Sequence, residues 1–82
     1  MAFARTVRVK LYYDVAVAPE VAQAEWQEFA RDESLVQSLG EVSFEAVTTE
    51  RSQLAIQAED GALAIDAVVQ RFRERLRHRG LV

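Results

Sequence analysis

From Arg5 to Val17 apolar and polar side chains alternate, with Val7, Val9, Leu11, Tyr13 and Val15 on one side and Arg8, Lys10, Tyr12 and Asp14 on the other. A period of two predicts a strand with one buried face. Pro19 then stands where a first helical residue tolerates a missing N–H, and Glu20 complements the helix dipole. The helix predicted from there runs towards Leu39, with Ala22, Trp26, Phe29, Ala30 and Val36 on its apolar side and Gly40 as its stop. The polar stretch Arg31–Ser34 interrupts that stripe, and Ser34 with Gln37 has capping-box spacing for a short second piece.

Alternation resumes over Glu41–Thr49, with Val42, Phe44 and Ala46 inward, and again over Gln53–Glu59, with Leu54, Ile56 and Ala58 inward. The short polar turn Thr49–Ser52 between them predicts a hairpin. Asp60 offers an N-cap for a second helix over Gly61–Arg79, whose buried stripe is Ile65, Val68, Val69, Phe72 and Leu76, and Gly80 ends it. A right-handed crossover through the first helix sets strands one and two parallel, and the hairpin slots strand three between them. The expected fold is therefore α+β: a β-α-β-β-α two-layer sandwich, ferredoxin-like but lacking the last strand. Its three-stranded mixed sheet has the order 1-3-2, with both helices on one face. The expected core is Val9, Leu11, Tyr13, Trp26, Phe29, Phe44, Ile56, Val69 and Phe72, and the expected domain is one, covering residues 1–82.

Composition narrows the function classes. There is no cysteine, so neither a disulfide nor a thiolate zinc site is possible. No apolar run approaches the roughly 20 residues of a membrane span, and no h-region follows the basic residues of 1–10, which reads as cytosolic. The one histidine, His78, lies between Arg77 and Arg79 without the partners a catalytic base or metal ligand needs. The acid pairs Asp32-Glu33, Glu59-Asp60 and Glu25 with Glu28 each have a structural use, as a helix interior, an N-cap or a solvated face. Three glycines cannot build a phosphate loop or a dinucleotide fingerprint. The expectation is a protein that is not an enzyme and has no cofactor and no metal.

The charge is divided. Residues 1–70 hold five basic and twelve acidic side chains, net −7, whereas 71–79 hold Arg71, Arg73, Arg75, Arg77 and Arg79 with only Glu74 opposing, net +4. Such a run can lay its stems along the Phe72/Leu76 stripe, oppose the helix dipole and pair with Glu74. It can equally grip phosphate or an acidic partner, and arginine is the better bidentate donor. Tyr12, with Arg8 and Lys10 on the open face, has the look of a base-stacking position, but strand three carries no aromatic and Glu45 shares the face. The first strand lacks a covering neighbour in the deduced order, so Arg8, Lys10 and Tyr12 mark a pairing edge for a second copy.

The order of segments and some local spacing also resemble a known family, the small dimerising subunit of the KEOPS complex, which makes threonylcarbamoyladenosine in transfer RNA. The residues that carry the resemblance are Asp32-Glu33-Ser34-Leu35 after the first helix, Leu54–Asp60 in the third strand, and Ala62-Leu63 at the start of the second helix. The chain departs from the family at Gly61, which alone separates Asp60 from Ala62, and at Ala64, where the family has an arginine. The resemblance implies a non-catalytic scaffold that dimerises within a larger complex. Two other readings stand beside it: a small nucleic-acid-associated protein gripping RNA through Arg71–Arg79, and an acidic inhibitor of a basic partner.

Overall fold

The computed structural model describes residues 8–59 and 64–82. The expected strand start at Arg5–Val7, the Asp60 cap and the Gly61–Leu63 helix start lie outside them. The elements are β1 (Arg8–Val15), α1 (Pro19–Asp32), a 3-10 turn (Ser34–Ser38), β2 (Glu41–Ala46), β3 (Ser52–Glu59) and α2 (Ala64–His78). The sheet order is β1-β3-β2, as the alternation and crossover rule require. Both neighbouring pairs are antiparallel, so the sheet is antiparallel by pairing rather than mixed. Strands β1 and β2 run the same way, but β3 separates them.

Both helices cover one face. Ala22, Trp26 and Phe29 of α1 and Ile65, Val68, Val69, Phe72 and Leu76 of α2 form one buried cluster with Leu54, Ile56 and Ala58 of β3. At its centre the Trp26 and Phe72 rings meet edge to face at 5.1 Å, with Phe29 5.5 Å from each. That geometry suits the opposite charges of ring edge and ring face.

Pro19 opens α1 as expected, after an extended Ala18. The helix breaks at Glu33, which is extended (φ −109°, ψ 107°) while its N–H still donates to the Phe29 carbonyl at 2.9 Å. The capping box does not form, because Glu33 rather than Ser34 is the cap residue and no side chain bonds there. Gly40 has another job than stopping a helix: a Cβ there would collide with the Gln57 carbonyl of β3. Gly80 does end α2, at φ 69°. The Gly80 N–H donates to Arg77 O and the Leu81 N–H to Leu76 O, both at 3.0 Å, the double closure of a Schellman motif.

The hairpin loop is longer than expected and begins earlier, over residues 47–51. The N–H groups of Val47 and Thr48 both donate to the Arg51 carbonyl, so β2 stops at Ala46, and Ala46 is exposed. Ser52, placed in the turn by its polarity, begins β3 fully buried, and its hydroxyl donates to the Val17 carbonyl at 3.2 Å. Of the expected core, Trp26, Phe29, Ile56, Val69 and Phe72 are buried, whereas Val9, Tyr13 and Phe44 are half-buried. Leu11 is 37% exposed because β1 is an outer strand, with one flank open among the described residues.

Candidate functional site

The arginines divide by helical spacing. Arg71, Arg75 and Arg79 recur every four residues and face α1. Arg71 Nη1 bonds Glu33 Oε1 at 2.8 Å. Arg75 reaches Glu25 with Nε at 3.1 Å and Glu28 with Nη2 at 2.9 Å, and Arg79 Nε reaches Glu25 at 2.8 Å. Acids ascending along α1 thus meet arginines descending along α2, an ion-pair seam between antiparallel helices. Glu25 is its pivot: its side chain is only 10% exposed and takes two guanidinium groups. A buried carboxylate needs such partners.

Arg73 points the other way. Its Nη2 donates to the Asp14 carbonyl at 3.0 Å, and its guanidinium stands 6.0 Å from the Tyr13 ring centre. That ties α2 to β1. Glu74, expected to pair with Arg71 or Arg77, takes no ion pair among the described residues; Glu33 holds Arg71 instead, and Arg77 is not paired there. Neither Arg73 nor Arg77 has a carboxylate partner there, and Arg77 has no hydrogen bond either. Three of the five arginines are therefore ion-paired across the helices and, among the described residues, Arg73 and Arg77, one turn apart on α2, are not.

The outer edge of β1 is the second candidate. Arg8, Lys10 and Tyr12 are exposed on the open face of the sheet, as expected. Across the sheet Tyr12 is level with Ala55 and Ser43, a row with a small, 1%-exposed centre. Lys10 Nζ pairs with Glu45 at 3.3 Å and stands 5.4 Å from the Tyr12 ring centre. The Glu45 hydrogen bond, then Tyr12, raises the Lys10 pKa. So the cation beside the aromatic already has a counter-ion. A shallow trough of about 340 Å³ lies on this face between Lys10, Ser43, Ala55 and Gln57.

Two features escaped the sequence reading. Asp14 accepts Arg51 at 2.8 Å through Oδ2 while its carbonyl serves Arg73, so one residue joins β1 to the hairpin loop and to α2. Glu25 was legible only as half of an i, i+3 acid pair; its partners lie some 50 residues on, and no local signal announces them. Among the described residues no three His, Asp or Glu side chains are placed to hold a metal ion, and no helix is long and apolar enough to cross a membrane. Set against known family models, curated proteins and solved structures, the chain matches none.

Proposed function

We propose that this chain is a non-catalytic assembly module that pairs with a second copy of itself through β1. One observation carries the reading. Strand β1 is eight residues long, contains no proline, and among the described residues has β3 as its one strand neighbour. Leu11 and Tyr12, on opposite faces of it, are both exposed large hydrophobics. An open strand edge with apolar groups on both faces is a template for another strand. The other outer strand, β2, is a poorer one. It has six residues, and pairing it antiparallel on itself about Ser43 would set Glu41 against Glu45 of the second copy.

The resemblance to the KEOPS subunit extends this to a dimer that scaffolds a larger tRNA-modifying assembly in the cytoplasm; the shared order of elements supports it. The reading of Arg71–Arg79 as an RNA grip finds less support, since Arg71, Arg75 and Arg79 are ion-paired within the chain and, among the described residues, only Arg73 and Arg77 are not. Sedimentation velocity at micromolar concentration tests the proposal, together with hydrogen exchange on Arg8–Val15. The expected result is a dimer with slowed exchange along β1. A monomer whose alternate β1 amides exchange fast would overturn it. Affinity capture of a tagged copy from the native host, with its companions identified, tests the larger assembly.

A further inference from the structure

We infer that two copies join β1 to β1 in one register, with Leu11 opposite Leu11 of the second copy on the two-fold axis. This rests on the self-association proposed above and specifies its geometry. In an antiparallel pair, facing side chains lie on the same side of the sheet, and a one-residue slip moves every side chain to the other face. Keeping the helices of both copies on one side therefore requires the axis to pass through a residue, not between two. Three centres give a long overlap: Lys10, Leu11 and Tyr12.

A centre at Lys10 sets two lysines against each other, a repulsive pair at the seam. A centre at Tyr12 sets Val9 against Val15, but Val15 is 3% exposed and already spent in its own core. That centre also leaves Arg8 opposite Ala16, past the end of the strand. A centre at Leu11 pairs all seven residues from Arg8 to Asp14 with complements. Arg8 meets Asp14 twice, Lys10 meets Tyr12 twice, and Val9 meets Tyr13 twice, around a Leu11–Leu11 contact.

The described surroundings fit this centre. Arg8 has no ion-pair partner within the chain among the described residues, whereas the Asp14 side chain is 56% exposed and commits only Oδ2 to Arg51. Lys10 already lies over its own Tyr12 ring, so the partner ring adds a second aromatic neighbour to the same cation. Leu11, exposed at 37%, is covered by its mate. Arg73 uses one lone pair of the Asp14 carbonyl and leaves the other for the ladder.

The chain has no cysteine, which makes single-cysteine cross-linking clean. Lys10→Cys, Leu11→Cys and Tyr12→Cys, all at exposed positions, are oxidised mildly under conditions where sedimentation reports the dimer. Leu11→Cys should form covalent dimer roughly tenfold faster than either neighbour, because only facing residues bring Cβ atoms within disulfide reach. Charge exchange gives a second reading. Arg8→Asp should weaken association roughly tenfold by opposing Asp14, and Arg8→Asp with Asp14→Arg should restore it. A thermal melt of each variant confirms its fold. Fastest cross-linking at Lys10 or Tyr12, or a folded double variant without rescue, would overturn the register and leave the dimer standing. A monomeric wild-type chain would overturn both.

Discussion

Gly40 meets Gln57 backbone to backbone, leaving no room for a side chain between the start of β2 and the middle strand. Its φ is not positive, so what glycine supplies there is space, not an unusual conformation. Gly80 is the reverse case, with φ 69° and open space where a Cβ would stand. Gly40→Ala should destabilise the fold by about 1–3 kcal/mol through overpacking. Gly80→Ala should cost about 1–2 kcal/mol through the left-handed backbone alone. Asparagine should relieve the loss at position 80 and not at position 40. Urea titrations of the four variants check this.

Phe72 is fully buried and touches the rings of Trp26, Phe29 and Phe44. Phe72→Ala should cost about 3–5 kcal/mol, and Phe29→Ala a similar amount, a large part of what a small domain holds. Trp26 is the chain's one tryptophan, so its fluorescence reports unfolding directly. A variant that melts within a degree or two of wild type would place that ring outside the core.

Glu25 and Glu28 are neighbours on α1 with unequal surroundings. Glu25→Gln leaves Arg79 without its ion pair and Arg75 with only Glu28, at a side chain 10% exposed. The expected loss is about 1–3 kcal/mol, below the figure for a fully buried pair because the arginines are partly solvated. Glu28, 54% exposed, should cost under about 1 kcal/mol as Gln. Equal losses in chemical denaturation would show that the seam does not pivot on Glu25.

Tyr13 has its pKa raised above the ordinary 10.0, first by burial, then by the charge and hydrogen bond of Asp66, against an opposing pull from Arg73. The folded chain thus keeps the phenol proton where the unfolded chain is losing it. This contribution to stability is complete below pH 10 and is lost as pH rises through the folded value. In Tyr12→Phe, Tyr13 is the sole tyrosine, and its ultraviolet titration should have a midpoint above 10.0. Adding Asp66→Asn should lower that midpoint.

Labelled transfer RNA at low salt should not be retarded by this protein, since Arg71, Arg75 and Arg79 spend their charge on carboxylates of the chain and only two arginines of the run are left. A steeply salt-dependent shift, lost in Arg73→Glu with Arg77→Glu, would restore the phosphate-binding reading.

The architecture was legible because period-2 runs and a strong 3.6-residue stripe sit between clear punctuation, Pro19, Gly40 and Gly80. The errors fell where tertiary context outweighs local chemistry. Ser52 is polar in sequence but buried, because the Val17 carbonyl accepts its hydroxyl. Leu11 has a core residue's place in the alternation, yet position in the alternation does not reveal that an outer strand is half uncovered. That Arg8, Lys10 and Tyr12 face outward was readable from alternation alone. The fate of Arg71, Arg75 and Arg79 was not, since their partners belong to another helix and depend on how the two cross.

The α1–α2 seam also accounts for a feature of the composition. The basic run contains five arginines and no lysine. Arg75 addresses two carboxylates from two different nitrogens of one rigid plane, Nε toward Glu25 and Nη2 toward Glu28. An ammonium group is a single point on a flexible stem and cannot span that separation in a fixed geometry. The preference for arginine is thus a matter of shape: at position 75 the helix needs a two-pronged bracket, and charge alone would leave one of the prongs missing.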